Sequence, residues 1–90
     1  MIVGVVSAAI REHFTGQADC YLGELVVSPA HEGRGIGRKL VKTVEAWAFD
    51  RDVPRVTLET GAANLRARQF YANLGYLEEQ VQLTKVISNE

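Results

Sequence analysis

The run Glu24-Leu25-Val26-Val27-Ser28-Pro29-Ala30-His31-Glu32-Gly33-Arg34-Gly35-Ile36-Gly37-Arg38-Lys39-Leu40 constrains this chain most. It reads as an apolar strand, a stop at Ser28-Pro29, a glycine-rich loop and the start of a helix. A helix start leaves its first backbone N–H groups without intrahelical partners, and the helix dipole adds partial positive charge there. Glycines let a ligand approach that backbone closely. The junction is therefore an anion site, most naturally for phosphate.

The elements around this junction follow from apolar spacing and turn signals. Ile2–Ile10 is rich in Val, Ile and Ala and predicts a strand. Thr15-Gly16-Gln17 marks a hairpin connection within 11–19, and Tyr21–Ser28 is the second strand. Gly37–Asp50 is a helix whose apolar stripe is Leu40, Val41, Val44, Trp47 and Ala48. Asp52-Val53-Pro54 ends it, and Arg55–Thr60 is a short strand. Asn64 is an N-cap for a second helix that ends at Gly75, with a stripe of Ala67, Phe70, Tyr71 and Leu74. Tyr76–Ile87 is extended, as one bent strand or two short ones. The fold class is α/β (of α+β type): a mixed sheet in the order β-β-α-β-α-β, with its first pair antiparallel and the helices as crossovers.

At 90 residues the chain is a single small domain, 1–90. A chain of this size buries only roughly 60–65% of its unfolded surface, so association with another chain is expected to help it. A formal net charge of −1 argues against nucleic-acid binding, which usually brings a basic excess. Cys20 is the one cysteine, which rules out an internal disulfide or a cysteine-based metal site. It reads as a small core residue in a reduced compartment. His13 and His31 have no second His or Cys at ligand spacing, so no metal is expected. The N-terminus shows neither a signal-peptide pattern nor a membrane span.

Three phosphate ligands compete for the glycine loop. A P-loop needs Gly-x-x-x-x-Gly-Lys-Ser/Thr, and no such run exists. A dinucleotide fingerprint needs Gly-x-Gly-x-x-Gly, but Arg38 stands at its third glycine; only Glu59, where a ribose-binding acid would sit, favours it. The third ligand is coenzyme A. Glu32-Gly33-Arg34-Gly35-Ile36-Gly37 resembles the Gln/Arg-x-x-Gly-x-Gly/Ala motif of the GNAT superfamily of N-acetyltransferases. Leu25-Val26-Val27 looks like that family's pantetheine-binding strand. Asn64, Ala67, Tyr71 and Gly75-Tyr76 match its second block. The resemblance covers almost the whole chain, which would begin at the family's third strand and lack the strand, two helices and further strand that usually come first.

The resemblance implies a division of labour. Leu25, Val26 and Val27 would lie along the pantetheine arm, one of their N–H groups serving the oxyanion. Glu32, Gly33, Arg34, Gly35, Ile36, Gly37 and Arg38 would hold the pyrophosphate, with Arg34 and Arg38 either adding charge or remaining solvated. Asn64 would contact the pantetheine arm, cap its helix, or do both. Tyr71 matches the family's general acid, or is a core tyrosine. An amine nucleophile must lose a proton, and a carboxylate near the acetyl group can take it. Glu59 is the first candidate; its spacing of five residues to Asn64 is similar to that in ribosomal-protein alanine acetyltransferases. Glu24 and a water chain are the alternatives. The implied function is N-acetyl transfer from acetyl-CoA to a primary amine, a small molecule or a peptide N-terminus. The alternative is a non-catalytic module that holds coenzyme A within a larger assembly. A cytoplasmic homodimer, burying the apolar N-terminal strand, completes the expectation.

Overall fold

The structure, a computed structural model, describes residues 3–80 and 82–88. β1 (Gly4–Glu12) and β2 (Ala18–Val27) form an antiparallel pair. The turn between them is closed by the His13 N–H on the Gln17 carbonyl at 2.8 Å and the Gly16 N–H on the His13 carbonyl at 2.9 Å. Gly16 takes φ +84°, a left-handed conformation that glycine adopts without steric penalty. The strands run further into the expected connection than turn residues alone suggest, because Arg11 and Asp19 face each other across the ladder and ion-pair.

The register pairs Ser7 with Glu24 and then Ala8 with Leu22, which leaves Gly23 as an extra residue in β2. This is a β-bulge. Side chains alternate along a strand, so one extra residue exchanges the two faces beyond it. Cys20 and Leu22 are buried before the bulge. After it Leu25 and Val27 are the half-buried residues, and Glu24 and Val26 are exposed.

α1 (Ile36–Phe49) covers the apolar face. Val41, Val44 and Ala48 of its stripe are buried, together with Cys20, Leu22 and Val53. Burying each valine is worth roughly 1.5–3 kcal/mol, enough to hold a helix of this length on the sheet. Leu40 and Trp47 are half-buried. A Cβ placed on Gly4 would come within 3.0 Å of Leu40 Cδ1 and 3.2 Å of Ile36 Cγ2, so the helix start lies tightly on β1. The far end is closed by two bonds, from the Val53 N–H to the Ala48 carbonyl and from the Asp52 N–H to the Phe49 carbonyl, both 3.0 Å. Asp52 between them adopts φ 59°. That is the left-handed closing residue of a helix, supplied here by an aspartate instead of glycine.

β3 (Val56–Thr57) runs parallel to β2, giving a three-stranded mixed sheet in the order β1-β2-β3 with β1 at an edge. The strand expected over 55–60 thus pairs only through Cys20↔Val56 and Tyr21↔Thr57.

The chain divides into two compact units, one ending at Thr60 and the next starting at Gly61. The second holds α2 (Leu65–Asn73). Ala67, Phe70, Tyr71 and the C-cap Leu74 are half-buried, as the stripe predicts, and Arg68 joins them. Past the helix, the Arg68 guanidinium binds Glu78 Oε1 through Nε at 2.8 Å and donates to the Ala62 carbonyl at 2.8 Å. One expectation is corrected: the last strand of the β-β-α-β-α-β order does not form among the described residues of Tyr76–Ile87. A strand exists only through a ladder with a neighbour, and none is offered here; Leu77, Leu83, Val86 and Ile87 are exposed. Ile2, at the start of the first expected strand, and Val81 in this last one lie outside the described residues.

Candidate functional site

The loop between β2 and α1 opens with a 3-10 turn, Pro29–His31, in which the His31 N–H donates to the Ser28 carbonyl at 2.8 Å. Glu32 is extended, and then Gly33 and Gly35 take φ +80° and +75°. A Cβ on either glycine would meet nothing within 4 Å. These glycines answer to backbone conformation, and the space above them is open. Gly35 is the N-cap of α1, and no side chain caps the helix. The first helical bond runs from the Lys39 N–H to the Gly35 carbonyl at 3.1 Å. The N–H groups of Ile36, Gly37 and Arg38 precede it, with the dipole behind them. Arg34 and Arg38 are exposed at the two sides of this turn, and so is Glu32. His31 Nδ1 is buried without a hydrogen-bond partner among the described residues.

The open edge of β2 adjoins this loop. The Cys20 N–H donates to the Arg55 carbonyl at 2.8 Å, so even-numbered residues turn their amides toward β3 before the bulge. The Ser28 N–H donates to the Val3 carbonyl at 2.8 Å, so beyond the bulge the even-numbered residues face β1 instead. Val26 accordingly turns its carbonyl toward Gly4. Leu25 and Val27 are left with their N–H and C=O groups on the β3 side, where the ladder has already ended at Tyr21↔Thr57. Of the three apolar residues expected along a pantetheine arm, these two offer an extended ligand a strand edge to pair with.

Glu24 is exposed one residue past the bulge, and Glu59 is exposed two residues past Thr57. Glu24 therefore lies on β2 and Glu59 past the end of β3, both within the first unit.

Asn64 and Tyr71 belong to the second unit. Asn64 caps α2, its Oδ1 accepting from the Ala67 N–H at 3.1 Å. Tyr71 lies in the last turn. Its carbonyl accepts from the Tyr76 N–H at 3.0 Å while the Gly75 N–H, at φ +94°, donates to the Ala72 carbonyl at 3.0 Å. This double bond pattern closes the helix and brings an aromatic contact with it. Tyr71 packs edge-on against Tyr76, ring centroids 5.6 Å apart, and against Phe70 at 5.0 Å. Burial pushes the Tyr71 hydroxyl above its ordinary pKa, so it carries its proton throughout the neutral range.

One polar cluster had no counterpart in the sequence reading. Asp19 is 5% exposed. Arg11 grips both its oxygens, through Nε at 3.0 Å and Nη2 at 2.8 Å, and His13 Nε2 lies 3.3 Å away. Thr57, paired with Tyr21, lies on the same face of the sheet. Arg11, with its guanidinium 4.2 Å over the Tyr21 ring, holds Asp19 far below the usual carboxylate range, against the opposing effect of burial. Arg11 and Asp19 flank the turn symmetrically, which was the only signal available. Among the described residues no three His, Cys, Asp or Glu side chains gather as a metal site, and no helix is long and apolar enough to cross a membrane.

Residues 1–76 match the model of the acetyltransferase (GNAT) family. N-acetyltransferase 8B of Rattus norvegicus is 36% identical over 76 residues, which is 83% of this chain and 34% of the relative. The chain spans about a third of the length of the curated relatives it matches. An aminoglycoside acetyltransferase from an uncultured soil metagenomic sample superposes with a TM-score of 0.81 at 25% identity, covering 98% of this chain and 60% of its own. The NatC complex bound to Gag peptide and CoA shares the fold, with a TM-score of 0.80 at 24% identity over 87% of this chain and 49% of the matched one.

Proposed function

Because the chain belongs to the acetyltransferase (GNAT) family, we propose that it transfers acetyl from acetyl-CoA directly to a primary amine. The observation that carries this reading is the uncapped start of α1 beside the open edge of β2. The amides of Gly33 to Arg38 would take the pyrophosphate, and Leu25 and Val27 would pair with the pantetheine arm. The amine nitrogen attacks the thioester carbonyl carbon. An N–H of the β2 edge stabilises the oxyanion, and the C–S bond then breaks. Glu59 accepts the proton that the amine loses, directly or through water, with Glu24 in reserve. Tyr71 returns a proton to the departing thiolate. Aminoglycosides, other small amines and peptide N-termini are the acceptor classes this reading admits.

A ligand that binds only the folded state must raise its melting temperature. Millimolar acetyl-CoA should do so and NAD should not. Absence of both a shift and calorimetric heat with acetyl-CoA would remove the cofactor from the reading. Binding without turnover on an amine panel would leave a module that only holds coenzyme A.

We also propose a homodimer in a reduced, cytoplasmic setting. β1 is a nine-residue edge strand, Gly4–Glu12, that carries no proline, and its first charged residue is Arg11. Edges this plain are normally covered. Light scattering after gel filtration at micromolar concentration should give twice the 9.9 kDa chain mass, and a clean monomer would sink the idea.

A further inference from the structure

α2 is a short helix that needs help from its surroundings. It has nine residues, Leu65–Asn73, and none of them is fully buried. A helix of this length is marginal unless something outside it lends support. The chain before it is a tight loop, in which the Asn64 N–H donates to the Gly61 carbonyl at 2.9 Å. The chain after it joins no strand among the described residues.

One side chain ties these two stretches together. Arg68 stands about one turn after Asn64 and one turn before Tyr71. Its Nη1 donates to the Ala62 carbonyl at 2.8 Å, two residues ahead of Asn64. Its Nε and Nη2 both donate to Glu78 Oε1, at 2.8 and 2.6 Å, two residues past Tyr76. Tyr76 is folded onto Tyr71, through its N–H on the Tyr71 carbonyl at 3.0 Å and through the ring contact at 5.6 Å. A guanidinium suits this task because its donors are fixed in a planar fork that can serve two partners at once. A lone pair on an exposed carboxylate contributes little, but three bonds converging on one fork form a network.

We propose that Arg68 is a positioning residue: its guanidinium braces the exit of α2 through Glu78 and the entry through Ala62, and so holds Tyr76 against Tyr71 and sets the place of the Tyr71 hydroxyl. This rests on the reading of Tyr71 as proton donor to the leaving thiolate. The tie to Ala62 holds the loop that leads into Asn64, so the same fork steadies the residue expected at the pantetheine arm.

Glu78→Ala cuts the exit tie and leaves Arg68 on Ala62, while Arg68→Met cuts both. Glu78→Gln keeps an acceptor oxygen. Amide hydrogen exchange on the full chain reads the brace directly. In Glu78→Ala the Tyr76 amide, which donates to Tyr71, should exchange roughly threefold faster, the scale of one exposed ion pair. The Asn64 amide, which donates to Gly61, should be unchanged. Glu78→Gln should recover most of the Tyr76 rate, and Arg68→Met should speed both amides. Turnover of acetyl-CoA with kanamycin, and with a peptide bearing an N-terminal alanine, reads the consequence. Glu78→Ala should lower kcat with little change in the KM for acetyl-CoA, and should add nothing to the loss in Tyr71→Phe. Arg68→Met should lower kcat as much and raise that KM as well. Unchanged Tyr76 exchange in Glu78→Ala overturns the brace, and so does a kcat loss fully additive with Tyr71→Phe. If Tyr71→Phe alone leaves turnover intact, the proton-donor reading fails, and the exchange rates still decide whether the fork holds Tyr76.

Discussion

The two helices of this chain begin in opposite ways. α2 starts at Asn64, whose side chain accepts the Ala67 N–H and closes the first turn. α1 starts at Gly35, left-handed and without a side chain, and no side chain among the described residues caps it. A polar residue at the first position satisfies the helix from within, whereas glycine there keeps the amides available to an outside anion. At the other end of α2, Gly75 and Tyr76 fold back onto Tyr71.

The largest test of this contrast concerns that last turn. If Tyr71 supplies the proton to the leaving thiolate, Tyr71→Phe should lower kcat by roughly 10²-fold or less, since a thiol of pKa near 8.5 already leaves well. KM for acetyl-CoA should change little. Full activity under chemistry-limited conditions would make Tyr71 only the aromatic floor beneath Tyr76. The next test gives α1 what α2 already has. Gly35→Asn tolerates the left-handed backbone better than other side chains and brings an amide into the open space. Coenzyme A affinity should fall about tenfold by calorimetry, roughly the effect of one lost charge-assisted hydrogen bond. Unchanged affinity would mean the anion does not sit on this turn. The smallest effect is on α2. Asn64→Ala should destabilise the fold by about 1 kcal/mol, seen as a lower melting temperature, and Asn64→Asp should recover most of it. No change would show that the Asn64 cap contributes nothing in solution.

The helices and their stops were legible because their signals are local. The stripe of Val41, Val44 and Ala48 is buried as the spacing requires, and Asn64 and Gly75 stand at the two ends of α2 in their expected roles. The glycine loop was legible for the same reason: Gly33 and Gly35 carry the positive φ that only their residue type takes freely. What lay hidden depends on pairing between distant residues. The Gly23 bulge follows from the register of β1 against β2, and no residue of β2 announces it alone. The gathering of Arg11 and His13 around Asp19 needs β1, the turn and β2 in register. The described residues of Tyr76–Ile87 form no strand, because apolar extended composition is necessary for a ladder and does not supply the partner. Glu59 and Glu24 could be named as carboxylates near the opening, but choosing between them is a matter of proton transfer that neither spacing nor position decides.

The extra residue in β2 shifts the reading frame of the strand. Cys20 and Leu22 are written in one frame of the strand, and Leu25 and Val27 in the other. Gly23 is the punctuation between them, and a Cβ there would lie 3.1 Å from Ser7 Oγ, which would have to turn aside. Were β2 to run through Gly23 without the bulge, every later residue would shift by one: Val26, now 57% exposed, would be driven inward and Leu25 outward. The shift would also swing the free amides away from the opening and onto β1. One glycine thus sets, in a single stroke, which letters the interior reads and which the ligand reads. A library meant to alter the ligand edge can therefore vary Glu24 and Val26 while leaving Leu25, Val27 and this punctuation untouched.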